Sequence, residues 1–364
     1  MTNRERVLRL LKGEAPDQVP WFGDLDYWYS AMRHQGTLPK EYEGDGYYRL
    51  NKDLGVGFYL QGYEPYRPVH EGLTVRHHEH EGRRTTWVET PRGTLDQIHE
   101  FLPVSCSWAC RKHFVESVGD LPAFCYWLEH TTYEPNFGLA REQRQLIGDN
   151  GLVLCYLPRS SFMQMVAIYS GLMNLVYMLM EDPSQTRASL ELLERKASEA
   201  AGIAVKAPVD CLMIPENLSS EVVGRTYYNE FMREYEERWI AEIHQAGHVS
   251  FIHMDGTLKG LLREVAAAGF TVIEAVTPAP VGDLTLEECR ALAGPNTVLW
   301  GGLPGGYFTP SVSDDEFDAY VIDTLQFMKN DGRSVLGVAD QVPPDGLRQR
   351  VVRVRELVEQ HGAY

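Results

Sequence analysis

Short apolar runs alternate with longer amphipathic stretches along most of the chain. Eight runs read as buried strands: QVPWFGD (18–24), LGVGFYL (54–60), LVLCYL (152–157), DCLMIP (210–215), VSFIH (249–253), FTVIEAV (270–276), TVLWGG (297–302) and SVLGV (334–338). Several are β-branched and too short for a helix, and their unbroken apolarity suits strands covered on both faces. The stretches between them carry helical spacing with recognisable ends. One opens at the proline after Asp182, one stops at Gly247, one at Gly269, and one starts on Ser and acidic residues and stops at Gly332. Eight strands with helices between them predict an α/β fold, a parallel (β/α)8 TIM barrel behind an N-terminal helical extension. Residues 71–102 depart from the beat. Their LTVRHHEHEGRRTTWVETPRGTLDQ alternates like a β-hairpin turning at Gly82 and Arg83. We expect an insertion there, with residues 1–364 forming a single domain.

Composition narrows the class. Of 364 residues 44% are hydrophobic and 11% aromatic, as in an ordinary globular protein. The net charge of −17 with no basic run offers no surface for nucleic acid. Near the start, Val7, Leu8, Leu10 and Leu11 alternate with charges, which describes a surface helix and not a signal peptide. No apolar run approaches the roughly 18 residues that cross a bilayer, so no membrane partner is expected. Six scattered cysteines, of which only Cys106 and Cys110 are close, read as reduced thiols and place the protein in the cytoplasm.

In such a barrel the chemistry sits at the C-terminal ends of the strands. Those positions hold Asp24 and Asp26, Glu216, His253 and Asp255, Glu274, and Asp340. The stretch FIHMDG (251–256) poses the sharpest question, because a histidine and a carboxylate two residues apart suit a metal. Glu216, His253, Asp255 and Asp340 together would make a mostly oxygen site, fit for zinc with one open position and also for manganese or magnesium. Read alone, His253 is better explained as a satisfied core histidine, and Asp255 suits a cap for a helix beginning near Thr257; the convergence of four such residues at strand ends is what favours the metal. Glu216, His253 and Glu274 are the candidates for catalysis. The aromatic stretch WFGDLDYWYSAM (21–32) offers Trp21, Asp24, Tyr27 and Trp28 as a pocket rim. GGLPGG (301–306) lacks the Lys-Ser/Thr of a phosphate loop, so Gly301 and Gly302 are read as bare backbone against a bulky cofactor. The histidines of RHHEHEGRR (76–84) are better explained by a solvated strand than by a metal.

The order of several segments resembles the uroporphyrinogen decarboxylase superfamily. They are TNRERVLRLLKGEAPDQVPWFG at the start, YSGLMNLVYMLMEDP (169–183), the block from HMDGTLKGLL to NTVLWGGL, and VPPD (342–345). The resemblance spans nearly the whole chain and implies the same barrel. The superfamily holds porphyrinogen decarboxylases and corrinoid-dependent methyltransferases. The arginine-rich decarboxylase signature is reduced to Arg33 in MRHQGTLPKEY (32–42), and its aspartate motif has no counterpart. The methyltransferase branch binds zinc through His-x-Cys-Gly and a later Cys before a Val-Pro-Pro-like turn. By that resemblance His253 matches the histidine, while Asp255 and Asp340 stand at the two cysteines. It therefore implies a divalent metal, zinc first, in a site moved from sulfur to oxygen, and a corrinoid carried by a partner protein. The implied reaction is demethylation of a small methoxylated or methylated donor. A homodimer is left open. Two alternatives stand beside it: a decarboxylase or lyase of an unidentified acid, and a non-catalytic barrel that binds a corrinoid or a partner.

Overall fold

Residues 18–24 run extended but form no full strand, because Pro20 has no N–H to give to a ladder. What remains is one parallel bridge, Trp21 to Leu336, and one antiparallel bridge, Gln18 to Ala363. The computed structural model describes residues 1–44, 46–60 and 63–364. After this segment come β1 (Phe58–Leu60), then β2 (Tyr66–His70), β3 (Thr74–His80), β4 (Arg83–Thr90), β5 (Gly93–Leu102), β6 (Ser107–Lys112) and β7 (Thr131–Pro135). The chain re-enters the barrel at β8 (Gly151–Tyr156) and continues through β9 (Cys211–Leu218), β10 (Val249–Met254), β11 (Val272–Val276), β12 (Val298–Pro304) and β13 (Ser334–Ala339). β1 and β8 to β13 form one curled parallel sheet in the order β1-β8-β9-β10-β11-β12-β13.

Residues 18–24 join its two edges. Phe22 N–H donates to Leu336 O and Leu336 N–H to Pro20 O, both at 2.9 Å, while Gly57 N–H donates to Trp21 O at 2.9 Å. The segment is the eighth stave, and the fold is the TIM-like barrel that the apolar runs predict. The helix Asn3–Leu11 closes the bottom. Its Val7 and Leu10 pack on the interior cluster, and Arg4 is tied to Asp210 at 2.6 Å.

Side-chain parity divides each stave. Phe22, Tyr59, Leu154, Met213, Phe251, Val272 and Trp300 share the cluster inside the barrel. Ile214, Ile252 and Ile273 face the surrounding helices, as a two-residue period requires. Trp300 fills the centre against Phe22, Tyr59 and Phe251, with ring centroids 5.0–5.5 Å away. Gly337 makes room for it, since a Cβ there would stand 3.0 Å from the indole.

The insertion is larger than a hairpin. β3 to β6 form a four-stranded antiparallel meander reaching Lys112, and β2 pairs with β7 as a separate ribbon. The expected strand over the end of 71–102 is broken by a turn before Gly93 (φ 140°), and Cys106 at φ 49° turns the chain again into β6. Both turns were hidden by alternation that continues on either side of them. The helix expected to end at Gly247 is also two, Arg225–Phe231 and Arg233–Gln245.

Gly301 tests how tightly the staves are set. Its φ is 147°, and an added Cβ would lie 2.6 Å from Val276 O. Gly301→Ala is expected to cost about 3 kcal/mol or more, strain plus overlap. Gly36→Ala, at φ 69° with open space around it, should cost only about 1 kcal/mol. Denaturant unfolding of both variants measures the difference.

Candidate active site

Irregularities at the strand ends aim the polar side chains. The β10 register shifts between Ile252 and Met254, and the β11 register shifts between Glu274 and Val276. Bulges of this kind re-aim side chains at barrel rims. Ala275 at φ 66° and Asp340 at φ 67° adopt left-handed backbone next to these positions, and Asn217 does so at φ 57° on β9. Each such non-glycine residue costs on the order of 1–3 kcal/mol, and such strain gathers at functional sites.

The result is a connected group at the C-terminal mouth. Continuing inward from Phe251 and Val272, His253 and Glu274 meet across adjacent staves, with Nδ1 to Oε2 at 2.6 Å. Tyr59 donates its hydroxyl to the other Glu274 oxygen at 3.1 Å. Glu274 is 1% exposed and His253 14%, whereas Asp340 is 58% exposed, so the group grades from buried to open. One ligand atom from each of His253, Asp255 and Asp340 lies within 4.8 Å of the other two, and no other such trio occurs among the described residues. His253 Nε2 stands 4.0 Å from Asp340. The alternative role for Asp255 is not realised. The N–H groups of Leu258 and Lys259 are taken by Asp283, at 2.7 and 3.3 Å, and the helix starts only at Leu262.

Electrostatics follow from this placement. Burial alone would lower the His253 pKa, but the Glu274 charge and hydrogen bond outweigh it, with Asp255 and Asp340 adding, and raise it to about 9. Burial raises Asp340 above its ordinary value, opposed by His253. Asp24, two residues past Phe22, is 4% exposed and near enough to Glu274 to feel its charge. It accepts from Asp26 N–H at 2.8 Å, the Tyr47 hydroxyl at 3.4 Å and Gln341 Nε2 at 3.0 Å. Burial pushes it up to about 7, helped by Asp26 and Glu274. No arginine or lysine pairs with Asp24, Asp255, Glu274 or Asp340 among the described residues.

Other expected site residues lie elsewhere. Glu216 is not a fourth ligand. It continues the outward parity of Leu212 and Ile214, is fully buried, and accepts from Ser160 N–H at 2.7 Å and the Ser160 hydroxyl at 3.1 Å. Trp21 and Trp28 are buried in the outer core with Leu336 and Val338, so they are not a pocket rim. Half-buried Tyr27 donates to Ser105 O, tying the helix Asp26–Gln35 to the insertion. Gly301 abuts the Val276 backbone, and a Cβ on Gly302 would meet Met328 at 2.9 Å, so strand and helix packing accounts for both. His78 and His80 stack with centroids 6.2 Å apart on the exposed insertion. Sequence reading missed Tyr59 and Gln341. Tyr59 was legible only as a polar tip near the end of an inward-facing strand.

The comparisons with known proteins now bear on this mouth. Residues 154–361 match the family described as Uroporphyrinogen decarboxylase (URO-D). That is more than half of the chain and includes His253, Asp255, Glu274 and Asp340. The chain belongs to the URO-D family. Among solved structures, a methyltransferase from Methanosarcina mazei is similar with a TM-score of 0.63 at 14% identity, covering 99% of each chain. At that identity the likeness bears on the URO-D fold alone. No curated protein matches. Asp24 and Tyr59 fall outside the matched URO-D segment, on the staves that complete the barrel. No helix among the described residues is long and apolar enough to cross a membrane.

Glu216 has a measurable consequence. Burial raises both its pKa and that of Glu236, which is also fully buried, above the ordinary 4.5. The native state therefore keeps protons that the unfolded chain has released. That stabilisation is complete below the unfolded pKa and is lost as pH rises through the native values. Stability should fall between about pH 5 and pH 8, and Glu216→Gln, which can keep both Ser160 contacts, should flatten the slope. Denaturation midpoints across that range decide it; an unchanged slope would assign the protons elsewhere.

Proposed function

We propose that the chain is a metal-assisted methyltransferase acting as one domain over residues 1–364. It demethylates a small methoxylated or similarly methylated compound and passes the methyl group to a corrinoid carried by a partner protein. The observation that carries this reading is the meeting of His253, Asp255 and Asp340 at the mouth, with Glu274 on the far nitrogen of the histidine. One imidazole and two carboxylates suit zinc with an open fourth position, and manganese as a second choice. A metal held there supplies Lewis-acid polarisation of a substrate oxygen. Glu274 fixes the Nδ1–H tautomer and presents Nε2 outward, while Tyr59 holds Glu274. Phe22, Phe251 and Trp300 form a dry floor.

The charge pattern supports a neutral methyl ether as donor. Four carboxylates without an arginine or lysine partner would repel a substrate bearing several carboxylates, which is what a porphyrinogen brings. A reducing, cytoplasmic setting is part of the proposal, and all six cysteines are free.

Metal content is the first test. Protein reconstituted with zinc or manganese should bind close to one ion per chain, and His253→Ala should abolish it. Glu274→Gln should weaken affinity about 10- to 100-fold. Asp255→Cys with Asp340→Cys should retain or tighten zinc, because thiolates soften the site; titration against a chelator measures each. Elemental analysis showing no metal after reconstitution would sink the reading.

Activity is the second test. With a corrinoid protein and a reductant, a panel of methoxyaromatics and methylamines should yield methylated corrinoid by absorbance. His253→Ala should cut turnover far more than substrate affinity. Carbon dioxide from coproporphyrinogen, with no methyl transfer across the panel, would favour the decarboxylase alternative.

A further inference from the structure

Methyl transfer from an ether leaves a charge to be quenched. The carbon–oxygen bond breaks with its electron pair on oxygen, and that oxygen must collect a proton before a neutral alcohol or phenol departs. Most polar groups of the mouth are already committed. His253 gives its Nδ1 proton to Glu274 at 2.6 Å and turns Nε2 toward Asp340. Tyr59 donates to Glu274 at 3.1 Å, and burial holds its hydroxyl well above its ordinary pKa.

Asp24 remains. It is buried, lies within the influence of the Glu274 charge, and hangs from the stave that closes the barrel. Among the described residues the titratable groups facing it are acidic or phenolic: Asp26 from its own segment, Tyr47 from the helix Gly46–Leu54, Tyr59 from β1 and Glu274 from β11. No cation among the described residues pairs with it to hold it ionised. Its Oδ2 partner is the Gln341 amide at 3.0 Å, one residue beyond Asp340. An amide offers an oxygen as well as a nitrogen, so by turning over Gln341 can serve either the neutral or the ionised carboxyl.

We propose that Asp24 is the general acid that protonates the oxygen released from the methyl donor, an assignment that rests on the methyltransferase reading. In the step, the cobalt(I) centre of the partner's corrinoid donates its electron pair to the methyl carbon and becomes formally cobalt(III). The carbon–oxygen bond breaks toward oxygen, which takes the Asp24 proton, and Asp24 regains a proton from water. A carboxyl held at about 7 is half loaded at neutral pH and is matched to that exchange. Asp24 is a proton source here and contributes no ligand to the His253 trio.

Asp24→Asn is the test, read across a series of aryl methyl ethers that differ in the acidity of the phenol released. Loss should be about 10²- to 10⁴-fold for weakly acidic phenols such as guaiacol, and slight for 4-nitroanisole, whose phenolate leaves without a proton. The wild type should lose activity as pH rises above about 7, and the variant should lack that limb while keeping its metal content. Infrared difference spectra of wild type against Asp24→Asn supply a readout free of turnover: a protonated carboxyl band present at about pH 6 and gone by about pH 8. Equal loss across the ether series would make Asp24 a structural residue and overturn the assignment alone, as would an ionised Asp24 at pH 6. No methyl transfer by the wild type from any ether would overturn the assignment together with the reading beneath it.

Discussion

Backbone hydrogen bonds from one short segment shut this barrel. Phe22 to Leu336, Leu336 to Pro20 and Gly57 to Trp21 join the two edges of a sheet that would otherwise lie open. Open parallel edges are both unsatisfied and adhesive, so the interior depends on this seam. So does the mouth. The same segment that closes the barrel delivers Asp24 to within reach of Gln341 and Glu274, and sets Phe22 under Trp300. Pro20 keeps the stave from becoming a full strand, leaving its last residues free to turn inward and then into the helix Asp26–Gln35.

The mouth combines strain, burial and charge of one sign. Left-handed backbone at Ala275 and Asp340 holds Glu274 beside His253 and turns Asp340 outward. Four carboxylates gather there, and among the described residues one imidazole, paired with Glu274 and Asp340, is their ionic partner. Such a concentration of negative charge is costly unless a cation or protons offset it. His253 held protonated to about 9 and Asp24 held at about 7 are how the chain offsets it by itself. A divalent cation would displace the His253 proton and offset the same charge, and for that reason one cluster reads as both a proton store and a ligand set.

The insertion is coupled to this mouth. Tyr27 bonds to Ser105 O and His34 packs on Phe101 with centroids 4.4 Å apart, so the helix after Asp24 rests on the meander. Tyr27 thereby serves the site through position, and the aromatic richness around it is mostly core.

The amino-acid sequence determined the number and order of the staves, because fully covered parallel strands appear as short apolar runs between amphipathic helices. It also brought His253, Asp255 and Asp340 forward together, since each polar residue ends an apolar run where a barrel keeps its chemistry. It could not say which face of a strand a residue takes. A stave buried on both sides shows no alternation, so Glu216 and Trp21 look as inward as His253 and Phe22 until the register is known. Nor could it reveal Glu274 on His253, or Gln341 on Asp24, residues 21 and 317 positions apart. Those contacts exist because adjacent staves are hydrogen-bonded in one register and because the closing segment meets the last strand. Tertiary structure alone decides both.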